Sequence, residues 1–165
     1  MKHLLLAGAA LASAAAPALA RDLTIQDVAT LSRVGAPAVS PNGKWLVWQQ
    51  RETDLAANRG RYDLWRLDLS KKGALPEKLV AEADVNETGP QFSADGATVF
   101  FQSDKGGVDS IQSVAITGGA ARAWFTPKGG FSGFKLSPDG TRALVWADRK
   151  PGAPTIEPAM EKKDP

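Results

Sequence analysis

The chain has 165 residues, enough for about one domain, with 43% apolar residues and a formal net charge of +2. It contains no Cys, which excludes a disulfide framework and leaves stability to a hydrophobic core. Lys and Arg are scattered among Asp and Glu without a basic stripe, an acidic block or a heptad pattern, so nucleic-acid binding has no electrostatic support.

Residues 1–20 read as a secretory signal. Lys2 and His3 form a basic head, Leu4 to Ala16 an apolar run, and Ala18-Leu19-Ala20 a small-x-small cleavage site that makes Arg21 the mature N-terminus. The run is too short and too rich in Ala for a membrane anchor, so no membrane association is expected after cleavage. The expected location is periplasmic or secreted, with the absence of Cys favouring the periplasm.

Residues 21–36 form a lead-in with one short helix. Thr24 precedes Ile25 with Asp27 three residues on, a capping box with Asp in place of Glu, and Ile25, Val28, Ala29 and Leu31 fall near helical spacing. Gly35 and Pro37 are expected to end it.

From Pro37 the pattern turns to β. Three segments share an apolar residue, then Ser-x-[Asn/Asp]-Gly, then a strand: Val39-Ser40-Pro41-Asn42-Gly43, Phe92-Ser93-Ala94-Asp95-Gly96 and Leu136-Ser137-Pro138-Asp139-Gly140. Pro presets one backbone angle and Asx-Gly tolerates positive φ, so each predicts a hairpin. The strands that follow, Trp45 to Trp48, Thr98 to Phe101 and Ala143 to Trp146, are nearly continuous apolar runs and read as inner strands buried on both faces. Tyr62 to Leu69 and Ser110 to Ile116 alternate as third strands, and Glu77 to Ala81 and Ala121 to Phe125 follow as fourth strands. The polar stretch Arg51 to Arg61 reads as an extra loop in the first unit. The turn glycines Gly43, Gly96 and Gly140 are 53 and 44 residues apart, near the period of roughly 40–50 residues of a four-stranded propeller blade, and a generic β-sandwich does not require such a repeat.

The expected fold is therefore all-β, an incomplete β-propeller of about two and a half four-stranded blades preceded by the signal peptide and the short helix. The blades are expected over residues 37–83, 90–126 and, in part, 131–149, with a Pro-rich linker or inter-blade loop over 150–165. A propeller closes with typically 4–8 blades, so the chain reads as the N-terminal part of a longer protein, and alone it should be prone to aggregation through its uncovered flanks.

The only His is His3, so the mature part has neither His nor Cys. That excludes a Ser-His-Asp triad, a Cys-His dyad and a usual zinc site within it, and no Gly-x-Ser-x-Gly elbow occurs. No catalytic, cofactor-binding or metal-binding residue is assigned, and no cofactor is expected. The carboxylates Asp95, Asp104, Asp109, Asp139 and Asp148 lack the ladder of a calcium loop and read as turn and edge residues. Trp45, Trp48, Trp65, Trp124 and Trp146 read mostly as core rather than as a ligand platform, and Gly118-Gly119 and Gly129-Gly130 as turn glycines.

The Ser-Pro-Asp-Gly hairpin followed by an apolar strand resembles the propeller repeats called PD40, or TolB-like, repeats, over Pro37 to Asp148. Leu23-Thr24-Ile25-Gln26-Asp27-Val28, then Leu31-Ser32-Arg33-Val34 and Pro37 to Lys44, is similar to the start of exported S9 serine peptidases, the prolyl oligopeptidase family with its acylaminoacyl peptidases and dipeptidyl aminopeptidases. The segment Glu157 to Pro165 resembles one of their inter-blade segments. The resemblance implies a propeller gating the access of short peptides to a C-terminal α/β-hydrolase domain that lies outside this sequence and carries the catalytic residues. It implies peptide substrates through the full-length enzyme. The other implied reading is a non-enzymatic TolB-like periplasmic propeller for protein–protein interaction.

Overall fold

The computed structural model of the chain describes residues 21–127 and 129–148. Residues 1–20, read above as a signal peptide, and the expected linker 150–165 lie outside the described residues.

Among the described residues the single α-helix, α1, spans Ile25–Thr30. A helix this short does not hold itself in water, and its donors are satisfied by side chains. The Thr24 hydroxyl accepts the Asp27 N–H at 3.2 Å while the Asp27 carboxylate accepts the Thr24 N–H at 2.9 Å, a complete capping box. Arg21 adds a bidentate pair to Asp27 at 2.5 and 2.6 Å. The Arg21 guanidinium, ahead of Thr24, holds the Asp27 carboxyl well below the usual carboxylate range.

Ten strands follow among the described residues: β1 (Arg33–Val39), β2 (Trp45–Asp54), β3 (Arg59–Asp68), β4 (Glu77–Val80), β5 (Glu87–Phe92), β6 (Thr98–Ser103), β7 (Ser110–Ala115), β8 (Arg122–Phe125), β9 (Gly133–Leu136) and β10 (Ala143–Trp146). They form two four-stranded sheets, β1-β2-β3-β4 and β5-β6-β7-β8, and a two-stranded sheet, β9-β10, all antiparallel and each in simple chain order. This is the all-β architecture of repeated meanders that the turn spacing implies.

Two local readings are corrected. The helix stops at Thr30, and Gly35 and Pro37 lie inside β1. They flank a bulge: the register slips by one residue between Gly35 and Ala38, where Ala36 sits at a φ of 45°. The same slip recurs in β5 between Thr88 and Gln91, with Gly89 at 60° and Pro90 beside it. Pro is tolerated there because a bulged residue on the outer strand of a sheet has no ladder bond to donate. The second correction is that Arg51 to Arg61 is not a loop. Both strands of the β2–β3 hairpin run ten residues, pairing through Asp54 and Arg59, and only Leu55 to Asn58 turn. Strand ends that reach past neighbouring sheets need no apolar side chains, which is why this stretch is polar.

The core forms between sheets. Val47, Leu64, Leu79 and Val80 of the first sheet pack on Val99, Phe101, Val114 and Ile116 of the second. The alternate residues of the second sheet, Phe100 and Ile111, pack on Phe131 and Phe134, with Val145 of β10 against them. Strand β6 thus buries both faces because each faces a different sheet. Strand β10 does not: Ala143 and Val145 face the second sheet, while Leu144 is 70% and Trp146 49% exposed. The five Trp divide accordingly. Trp48 is buried and stacks on its cross-strand partner Trp65 at 6.5 Å, Trp45 packs at the edge of the first core, and Trp124 and Trp146 are exposed. Trp124 occupies a bulge in β8 and meets Phe100 edge-on at 5.2 Å.

Candidate functional site

The three Ser-x-Asx-Gly turns are built alike, atom for atom. Each Ser hydroxyl accepts the N–H five residues on: Trp45 at 2.9 Å, Thr98 at 3.0 Å and Arg142 at 2.9 Å. Each donates to the Asx side chain, Ser40 to Asn42 at 2.8 Å, Ser93 to Asp95 at 2.6 Å and Ser137 to Asp139. That same Asx oxygen accepts the N–H two residues on, at 3.0 Å from Lys44, 3.0 Å from Ala97 and 3.1 Å from Thr141. The chain then closes through Gly43, Gly96 and Gly140 at φ of 69°, 72° and 70°, where an L side chain is strained. Asp95 and Asp139 are therefore turn-forming carboxylates. The Ser137 hydroxyl, then the Thr141 N–H, lowers Asp139 to about 2.

These turns bring the ends of β1, β5 and β9, the first strand of each sheet, to one rim. Between them lies an open hollow of about 450 Å³ lined by Pro37, Val39, Pro90, Gln91, Lys135 and neighbouring turn residues. The strands do not hydrogen-bond to one another as a ladder. Side-chain amides join them. Gln91 donates to the Phe134 carbonyl at 2.8 Å and accepts the Leu136 N–H at 3.1 Å, so one amide closes the free edge of β9. Gln49 of β2 accepts the Gly89 N–H at 2.9 Å, satisfying the bulge of β5. Gln102, at the matching place in β6, donates to the Phe131 carbonyl at 3.2 Å. Arg66 crosses between the first two sheets to donate to the Ile116 carbonyl, with its guanidinium 5.7 Å from the Trp45 ring.

The opposite rim is acidic. Lys78 binds Asp63 at 2.6 Å and Glu52 at 3.5 Å, and Lys105 binds Glu82 at 2.5 Å. Asp104 accepts both the N–H and the side-chain amide of Asn86 at 2.7 Å. Glu87, 1% exposed, lies among them, and burial, ahead of the neighbouring carboxylates, raises it to about 7. A shallow hollow of about 360 Å³ opens beside this rim between Glu52, Arg61, Asp63, Lys78 and Glu82.

The five Asp considered from sequence are not brought together. Asp95 and Asp139 form turns, Asp104 clamps Asn86, Asp148 exchanges hydrogen bonds with Ser132 at 3.1 and 3.2 Å, and Asp109 lies beside Gly130. Among the described residues no group of three Asp, Glu, His or Cys is placed to hold a metal ion. Sequence reasoning missed the Gln bridges and Glu87. The signal for the bridges was there, since Gln49 and Gln102 follow matching apolar runs at the same distance from the turn glycine.

No family model matches the chain. It is 31% identical over 160 residues to dipeptidyl-peptidase 5 of Porphyromonas gingivalis, an alignment covering 96% of this chain and 23% of that protein. The chain therefore spans about a quarter of the relative it matches. In fold it resembles TolB from Acinetobacter baumannii, with a TM-score of 0.52 and 22% identity over 72% of this chain and 27% of that one. It superposes on an acylaminoacyl peptidase from Pyrococcus horikoshii with a TM-score of 0.58 and 12% identity, over 72% of this chain and 17% of that one. The β-propeller domain of the Trilobed protease from Pyrococcus furiosus matches with a TM-score of 0.53 and 14% identity, over 73% of this chain and 36% of that domain. The chain is a homologue of the S9-family dipeptidyl-peptidase 5 along the region it spans, folded as consecutive sheets of the propeller type found in acylaminoacyl peptidase and TolB.

Proposed function

We propose that the chain is the propeller part of an exported S9 serine peptidase of the prolyl oligopeptidase family, and that the propeller admits short peptides to a hydrolase domain encoded outside this sequence. The observation that carries the reading is the 31% identity to dipeptidyl-peptidase 5 across 96% of the chain. The role assigned to the propeller is exclusion by size. First strands ringed about an axis leave a passage too narrow for a folded protein, while an extended peptide can thread it. The open hollow between β1, β5 and β9 supports this, because prolines line it and the Gln91 amide occupies the edge of β9, which leaves less free β-edge on which a peptide would stall. The signal-like residues 1–20 support export to the periplasm or beyond.

The test is to purify the product of the whole gene. It should react with a fluorophosphonate serine probe and cleave fluorogenic dipeptide or acyl-peptide substrates while sparing a folded protein. Absence of probe labelling would refute the peptidase reading. Equal cleavage of peptides and of a folded protein would refute gating.

The second reading is a non-enzymatic TolB-like propeller that binds protein partners, favoured by the fold match to TolB. It expects no serine labelling and a specific envelope protein retained on the purified propeller.

A further inference from the structure

Glu87 opens β5 opposite Ser103 of β6, where the connection 81–86 passes from the first sheet to the second. It is among the largest fully buried side chains, at 1% exposed, and one carboxyl oxygen accepts a single hydrogen bond, the Glu82 N–H at 3.2 Å. The other oxygen, Oε2, is buried without a partner. The charged groups around it come from every neighbouring element, and their cations are engaged elsewhere. Asp63 of β3 has Lys78 of β4, which also reaches Glu52 of β2. Glu82 in the connection has Lys105, and Asp104, just past β6, holds Asn86. A carboxylate at this point would be a buried charge facing three acidic groups with no cation of its own, which costs more than a neutral acid at the same unpartnered position.

We propose that Glu87 is a protonation-operated latch between the first two sheets, which as a neutral acid holds the connection 81–86 down and as a carboxylate releases it. The connection is the part with the fewest buried groups to give up, Val85 alone being a buried apolar side chain. Ala83 and Asp84 are exposed and Asp84 sits at a φ of 62°; the segment is held by the Glu82–Glu87 bond, the Asn86–Asp104 clamp, the pairs of Asp84 with Arg59 and Arg61, and the buried Val85. Lifting it would bring water to Oε2. The sign follows from linkage. A folded-state value raised from 4.5 to about 7 gives stabilisation fully present below about 4.5 and lost as pH rises through about 7. This inference does not depend on the peptidase reading, because it concerns only the contact between two sheets.

The experiment is hydrogen exchange of the amides of residues 81–89, corrected for chemical exchange, in the chain and in Glu87→Gln from about pH 5.5 to about pH 8.5. The expected result is protection that falls about tenfold per pH unit from about pH 5.5 to about pH 7 and levels off above it in the chain, and that stays flat in Glu87→Gln, which keeps the acceptor but cannot ionise. Flat protection in the parent, or the same fall in Glu87→Gln, would overturn the latch. Infrared spectroscopy of the unmutated chain provides a reading that no variant can confound. A protonated-carboxyl C=O band should persist to near pH 7, and ionisation of every carboxyl below about pH 5.5 would overturn it equally.

Discussion

Replacing Gln91 by Ala removes both bonds that close the inner edge of the third sheet. The Phe134 carbonyl loses a donor at 2.8 Å and the Leu136 N–H an acceptor at 3.1 Å. Each such bond is worth about 0.5–1.5 kcal/mol net, so the expected loss is about 1–3 kcal/mol. Water can reach this open hollow and re-satisfy part of the edge, which places the expected value near the middle of that range. Gln91→Glu separates the two bonds. A carboxylate still accepts from Leu136 but faces the Phe134 carbonyl with no proton, so above pH 5 it should cost at least half as much as Ala. The assay is urea unfolding followed by Trp fluorescence, with a constant m-value required for comparison. Gln102→Ala, which removes one bond rather than two, should cost less than Gln91→Ala. A loss below about 0.3 kcal/mol in Gln91→Ala, or a larger loss in Gln102→Ala, would refute the idea that side-chain amides hold adjacent sheets together.

Phe101, 1% exposed between the first two sheets, should cost about 3–5 kcal/mol as Phe101→Ala in the same urea assay, whereas the exposed Leu144 should cost less than about 1 kcal/mol as Leu144→Ala. Gly43→Ala meets no neighbouring atom and tests backbone strain alone at a φ of 69°; a loss of about 1 kcal/mol is expected in thermal unfolding. The turn carboxylates should contribute to acid unfolding. Asp139 is lowered from 3.8 to about 2, so its stabilisation is present above about 3.8 and is lost as pH falls through about 2. Asp139→Asn, matching Asn42 of the first turn, should flatten that part of the stability–pH curve, and an unchanged curve would argue against the assigned turn bonds.

Much of the architecture was legible because it is set locally. Ser-x-Asx-Gly fixes its own turn through bonds that span no more than five residues, so three copies announced three hairpins. The capping box at Thr24 and Asp27 is local in the same way. What depended on distant neighbours was not legible. Gly35 and Pro37 look like helix terminators in isolation, yet a bulge on a strand that pairs on only one side accommodates both. The polar run Arg51 to Arg61 lacks strand-like alternation because that end of the hairpin extends beyond the cores. The burial of Glu87 could not be read from its own segment, Asn86-Glu87-Thr88, since the groups that enclose it come from β3, the connection and the end of β6. The exposure of Trp146 likewise reflects what lies on the far side of its strand rather than the strand's own composition.

The most direct test of the peptidase propeller is the coding sequence of the gene in the same frame downstream of Pro165. A propeller that serves a hydrolase requires further Ser-x-Asp-Gly hairpins at the blade period, then a Gly-x-Ser-x-Gly segment followed by Asp and His in that order. A frame that continues through more hairpins and ends without that segment would contradict the peptidase assignment and leave a TolB-like binding propeller.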